Sequence, residues 1–145
     1  MILNSLKNSP RYKEAIQELN LPFGNYYLFD GFVVAEVYED IIYTWEDHGK
    51  KASTKILELY DSDGSDLVFI TNRINNYSCK PTDWMNFFRF SNKLKGYGIV
   101  SYSQSGHYNA LLEKLFVQTT TERFSNLENA IAWAKNLSDS KSIAS

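Results

Sequence analysis

A chain of 145 residues with 43% hydrophobic and 22% charged residues has the size and composition of one globular domain. Its net charge of −2, without a basic cluster, argues against binding to nucleic acid or to an anionic membrane surface. One cysteine excludes an intrachain disulfide and a cysteine-rich zinc site, and no apolar run approaches the roughly 20 residues of a membrane-spanning helix. We therefore expect a cytoplasmic protein that carries neither a metal nor another cofactor.

The first 21 residues are predicted to form an extension that contains one helix. Ser9-Pro10 can begin this helix, because proline fits the first helical turn. Apolar residues then recur at the spacing of one helix face, at Tyr12, Ala15, Ile16 and Leu19. The sequence leaves open whether the extension packs on the rest of the chain.

A β-hairpin is predicted next. Residues 26–29 and 32–38 are rich in aromatic and β-branched side chains, and Asp30-Gly31 between them suits a tight turn. The nearly continuous apolar run at 33–37 is typical of a central strand that is covered on both faces. Glu36 lies inside this run, and because a lone buried carboxylate is costly, we expect it to face an edge or a partner.

Helices and strands alternate after the hairpin. Thr44 and Asp47 form a capping-box pattern that begins a helix over residues 45–60. A second capping box, from Ser125 to Glu128, begins a C-terminal helix that ends near residue 137. The remaining predicted segments are strands over 67–70, 97–102 and 115–119 and helices over 81–94 and near 107–115.

This order predicts an α/β fold with a mixed sheet. About five strands, opening with the hairpin, form the sheet, and about four helices pack on it. Residues 22–138 then form a single domain, between the extension at 1–21 and a flexible tail at 139–145.

The pattern resembles a known family. Its segments at 24–38, 67–81, 96–101 and 124–133 are similar to those of STAS and SpoIIAA-like domains, which include a group of uncharacterised bacterial proteins. The resemblance implies a regulatory module that binds a protein partner or itself, for example as a homodimer. Antagonists of this family carry a phosphorylatable serine in an Asp-Ser-Ser-Gly-like turn, and that motif is absent here. Ser78 and Thr82 are the nearest hydroxyls and the candidate phosphorylation sites.

The polar loop at 71–80 is the best candidate for a ligand site, because ligands of open α/β sheets gather beyond the carboxyl ends of the strands. The planar guanidinium of Arg73 could hold the carboxylate or phosphate of an anionic small molecule. Four neighbours could orient that ligand: Asn75, Asn76, Tyr77 and Ser78. In the alternative interpretation, Arg73 pairs with a local acid and the asparagines stabilise turns.

The helix over 81–94 carries a second candidate surface. Trp84, Phe87 and Phe88 form one apolar stripe, which is usually core. Phe90 lies off that stripe, and an exposed Phe90 beside Met85 would mark a surface for a partner.

Three functions remain open at this stage. The first is a non-catalytic regulatory or protein-binding module. The second is a small-molecule or lipid-binding domain, since the same fold class is similar to Sec14-like domains. An enzyme ranks last, because no pattern places His48 or His107 beside Cys79 to form a nucleophile and base.

Overall fold

The computed structural model describes residues 4–75, 77–79 and 81–144 and contains a six-stranded mixed sheet. The first three strands pair antiparallel, and the other three continue the sheet in parallel from the third. Two short strands pair with each other outside this sheet. The six strands, in spatial order, are β1 (Gln17–Leu21), β2 (Gly24–Leu28), β3 (Phe32–Val37), β5 (Val68–Arg73), β7 (Gly96–Ser101) and β8 (Thr120–Phe124), and the outer pair is β4 (Ile42–Tyr43) and β6 (Ser78–Cys79).

Four α-helices accompany the sheet, as the sequence predicts. They are α1 (Lys50–Tyr60), α2 (Trp84–Ser91), α3 (Gln104–Phe116) and α4 (Leu127–Ala144). A π-helical turn, Trp45–Gly49, leads into α1, and Thr44 caps it by accepting a hydrogen bond from the amide of Asp47. Within the described part of the chain, no helix is both long and apolar enough to cross a bilayer.

The predicted hairpin and central strand are confirmed. Gly31 adopts a φ of +85°, which glycine tolerates, between β2 and β3. Every residue of β3 is buried, because helices cover both faces of the sheet at this strand. Val33 and Ala35 belong to a core cluster that includes Ala52 of α1, and Val34 belongs to the cluster on the opposite face that includes Ile131 of α4.

The predicted N-terminal helix is wrong. Only a short 3₁₀ turn forms over Pro10–Glu14, and the chain then continues as β1, which pairs along its whole length with β2. Pairing with a preformed strand supplies hydrogen bonds that local helical spacing cannot predict. Leu6 is fully buried in the α4-side core cluster, so the first residues belong to the domain and do not form a separate extension.

Three other boundaries also differ from the prediction. Because α3 continues to Phe116, the last strand is β8 and does not lie at 115–119. The helix α4 continues to Ala144, through most of the predicted flexible tail. The strand β5 extends to Arg73, so Arg73 lies at the end of a strand and not in a loop.

Glu36 is buried inside the sheet, in contrast to the expectation that it faces an edge. The residue is 3% exposed, and its carboxylate accepts hydrogen bonds from the Ser5 hydroxyl at 2.8 Å, the Leu6 amide at 2.7 Å and the Asn72 side-chain amide at 2.8 Å. The Asn72 oxygen accepts in turn from the Tyr102 hydroxyl. These donors satisfy the oxygen atoms of the buried carboxylate, and the bonds from Ser5 and Leu6 hold that segment against the sheet.

Candidate ligand-binding site

A cavity of about 420 Å³ lies at the carboxyl ends of the parallel strands, on the face that α1, α2 and α3 cover. The last residues of β3, β5 and β7 all line it: Val37, Arg73 and Ser101. Parallel strands end at one edge of a sheet, so the segments that follow them converge there. Exposed residues of α3 and the turn before it, among them Ser103 and Asn109, also line the cavity and mark its opening to solvent.

Many aromatic rings line the cavity. On α2, the stripe predicted to be core faces the cavity, with Phe87 5.6 Å from the rings of both Tyr43 and Trp45. Phe90 is half-buried and packs at 5.9 Å against Phe69 of the sheet, so the expectation that it faces water is wrong. The reason is that α2 contacts the sheet on one side and the π-helical turn on another.

Arg73 and Glu113 form a two-pronged ion pair at the polar end of the cavity. The Nη1 atom lies 2.5 Å from Glu113 Oε2, and Nη2 lies 2.7 Å from Oε1. The Tyr97 hydroxyl is 3.3 Å from both Arg73 Nη2 and Glu113 Oε1. Both charged side chains are mostly buried, at 20% and 16% exposed. This geometry is the strong, charge-assisted form of an arginine–carboxylate contact.

Burial and the ion pair set the protonation of this cluster. Desolvation alone would lower the pKa of Arg73, but Glu113 more than offsets it and holds that pKa well above its usual value. Burial, followed by the charge of Glu113, raises the pKa of the Tyr97 hydroxyl well above its usual value. Burial also raises the pKa of Tyr77. The tyrosines at this end are therefore neutral hydroxyl groups at physiological pH.

The described residues among the predicted ligand-binding set line the cavity, and two of them also make contacts within the protein. Arg73, Asn75, Tyr77 and Ser78 all line the cavity, and Asn76 lies outside the described residues. Asn75 donates its side-chain amide to the Val37 carbonyl at 2.9 Å and so fixes the loop to β3. Arg73 pairs with an acid, as in the alternative interpretation, but the acid comes from α3 and not from nearby in the sequence.

The candidate phosphorylation and partner residues are dispersed. Ser78 is exposed in β6, and Thr82 is exposed in the turn Pro81–Asp83. Met85 is 69% exposed, while Phe90 on the same helix faces inward. Met85 and Phe90 therefore do not form one surface patch.

Among the described residues, no hydrogen bond joins the Cys79 thiol to His48 or His107. Desolvation raises the pKa of Cys79 to about 11, although the residue is exposed at the cavity rim. His48 Nδ1 accepts from the Thr44 amide at 2.8 Å, and His107 Nε2 lies 3.0 Å from the Ser101 carbonyl. One ring nitrogen of each histidine is thus engaged by the backbone. No cluster of three or more metal-binding side chains occurs in the parts of the chain that are described.

Two residues of the polar cluster were not predicted as site residues. Glu113 is 40 positions from Arg73 in the sequence, and the pattern around Tyr97 predicts a strand without indicating a site. The available signal was weak: Glu113 lies next to Lys114 in the mostly apolar segment at 110–116, and this pattern is also typical of a solvent-facing helix turn.

The fold and the cavity define a mixed α/β domain with a site at the carboxyl ends of its parallel strands. Comparison with protein-family models gives no match, and comparison with curated proteins gives no similar sequence. Among solved structures, the chain is similar to an uncharacterized protein of the DUF3478 family with a SpoIIAA-like fold from Shewanella loihica PV-4. The TM-score is 0.52 over 83% of this chain and 92% of that one, at 10% sequence identity. The protein therefore has a SpoIIAA-like fold, as the sequence pattern predicts.

Proposed function

We propose that this protein is a non-catalytic domain that binds a small organic molecule in the cavity beside Arg73. The observation that carries the proposal is the cavity itself: it has a volume of about 420 Å³, and many aromatic rings line it together with the Arg73–Glu113 ion pair. Small-molecule sites are typically concave, largely apolar and of about 300–1,000 Å³, with a few polar groups that fix orientation.

The chemistry of the wall supports binding over catalysis. Cys79 is a poor nucleophile because its pKa is about 11, so little thiolate forms at neutral pH. Glu113 is engaged by both Nη atoms of Arg73 and is not free to abstract a proton. A carrier or sensor of a small molecule needs neither group to react.

A blocked cavity tests the proposal. Nile red, an uncharged dye that fluoresces in apolar surroundings, is titrated into the wild-type protein and into Asn109→Trp, which places a large ring at the mouth. The matched control is Tyr108→Trp, since Tyr108 is exposed on the same helix but does not line the cavity. We expect the affinity for Nile red to fall at least 10-fold in Asn109→Trp only. Equal binding by all three proteins, or no binding to any of them, would contradict the proposal.

Self-association is the second candidate function. Tyr108, Leu111 and Leu115 recur at helical spacing on α3 and are 59%, 63% and 78% exposed, so they form an apolar stripe on the surface. A net charge of only −2 gives little repulsion between copies. This candidate keeps the regulatory module that the SpoIIAA-like resemblance implies, with a second copy of the chain as its partner.

Sedimentation velocity tests this second candidate. The wild-type protein is expected to form dimers that Leu111→Glu dissociates, because a carboxylate in an apolar interface is costly. Gln104→Glu adds the same charge at an exposed position on the same helix and serves as the control. A wild-type monomer at all concentrations would overturn this candidate.

A further inference from the structure

We propose that the ligand of the cavity is an uncharged, largely apolar molecule that carries an oxygen acceptor. This inference rests on the proposed function and specifies the chemical class of its ligand. It also departs from the sequence-based expectation of an anion held by Arg73.

The cavity wall is neutral overall. Among the described residues that line it, Arg73 and Glu113 carry the formal charges, and they neutralise each other through two hydrogen bonds. Because Glu113 already neutralises Arg73, an anionic ligand would gain net attraction only by displacing Glu113 from the guanidinium. That exchange would leave a mostly buried carboxylate without its partner, which is strongly unfavourable.

Two N–H groups of residues that line the cavity lack an acceptor among the described residues. Arg73 Nε and Trp84 Nε1 are buried N–H groups without an acceptor in the described structure, and both side chains line the cavity. A carbonyl, ester or ether oxygen of a ligand that reaches either N–H group would supply the missing acceptor.

A matched pair of ligands isolates the effect of charge. Methyl 2-naphthoate and the 2-naphthoate anion share a ring and a carbonyl group and differ in charge at pH 7.5. Each competes with Nile red for the wild-type protein, and the ratio of the two inhibition constants is the readout. We expect the ester to bind at least 10-fold more tightly than the anion.

Two variants separate a specific site from simple partitioning, because an ester enters any apolar site more readily than an anion. Glu113→Gln leaves the charge of Arg73 unopposed, so the anion should gain at least 10-fold relative to the ester. Arg73→Gln leaves Glu113 unopposed, so the anion should lose affinity relative to the ester. Thermal unfolding of each variant shows whether it is folded. Because the two variants should shift the anion-to-ester affinity ratio in opposite directions, either folded variant alone tests the inference.

The outcomes distinguish this inference from the proposed function. If neither Nile red nor the ester binds the wild-type protein, the proposed function itself is wrong. If Nile red binds but the anion competes as well as the ester, or if the ratio is unchanged in the folded variants, the cavity binds ligands without the predicted selection by charge.

Discussion

At the scale of single residues, the thiol of Cys79 shows how the cavity rim controls reactivity. Its pKa of about 11 lies well above the usual value of 9.0, chiefly because protein atoms displace water around the sulfur. We expect iodoacetamide to alkylate the folded protein about 100-fold more slowly at pH 8 than an unshifted thiol, because the thiolate fraction is about 100-fold smaller. Intact-mass measurements over time would give the rate.

The pH dependence of that rate provides the control. In the folded protein, the rate should rise about tenfold per pH unit until the pH approaches 11, whereas in urea it should level off near pH 9. A rate in the folded protein that is already constant above pH 7 would mean that the thiol is activated and would reopen the enzymatic interpretation.

The polar cluster also marks the limit of sequence reasoning at this scale. Arg73, Tyr77 and Ser78 were predictable as residues of the cavity wall, because they lie at or soon after the end of a buried strand, where ligands of α/β sheets gather. Glu113 was not, because its contact with Arg73 depends on how α3 lies against the sheet. Local spacing carries no information about a pair 40 residues apart.

At the scale of elements, the junction between the π-helical turn and α2 is closely packed around Gly49. A β-carbon added at Gly49 would lie 2.6 Å from Phe87 Cε1 and 2.9 Å from Trp45 Cε3. We expect Gly49→Ala to lower the free energy of unfolding by about 1–3 kcal/mol, since crowding outweighs the helix preference of alanine, which is about 1 kcal/mol. Urea denaturation measures this change.

Thr54→Ala is the matched control for this variant, because Thr54 is exposed on the adjoining helix α1. Its stability should stay within about 0.5 kcal/mol of the wild-type value. If Gly49→Ala is as stable as the control, the rings of Phe87 and Trp45 can shift to accept the added methyl group, and the cavity wall is less rigid than the contacts indicate.

The elements themselves were mostly predictable, for a physical reason. The hairpin, the capped helix α1 and the strand β3 are specified by turn residues, caps and apolar runs that act within a few residues. The strand β1 was mistaken for a helix because its hydrogen bonds come from β2, and only Leu19 of the predicted helical stripe lies within it. Edge strands depend on their partner more than on their own pattern.

At the scale of the whole molecule, ion pairs join the first residues to the last helix. Glu14 accepts hydrogen bonds from Lys135 Nζ of α4 and from Arg11 Nη1, both at 2.8 Å. These bonds lower the pKa of Glu14 from 4.5 to about 2. A depressed pKa in the folded state means that the pair stabilises the protein above about pH 4.5 and that this contribution is lost as the pH falls towards 2.

Glu14→Gln tests this linkage. The urea midpoint of the variant should lie below that of the wild type at pH 6, and the difference should shrink between pH 4.5 and 2 as the wild-type carboxylate becomes protonated. Glu58→Gln, at an exposed position on α1, controls for general charge effects. A difference that persists undiminished at pH 2 would show that the charge of Glu14 does not cause it.

The buried carboxylate of Glu36 also has a consequence for the order of folding. Its donors at Ser5 and Leu6 lie about 30 residues earlier in the chain, and Asn72, which bonds both Glu36 and the Asn4 carbonyl, lies 68 residues after Asn4. Contacts between residues so far apart form late, because a long loop must close first. The hydrogen bond between Asn4 and Asn72 therefore forms only after β5 has been made and paired. Until the later strands and α4 are in place, the apolar side chain of Leu6 has no complete core to pack against.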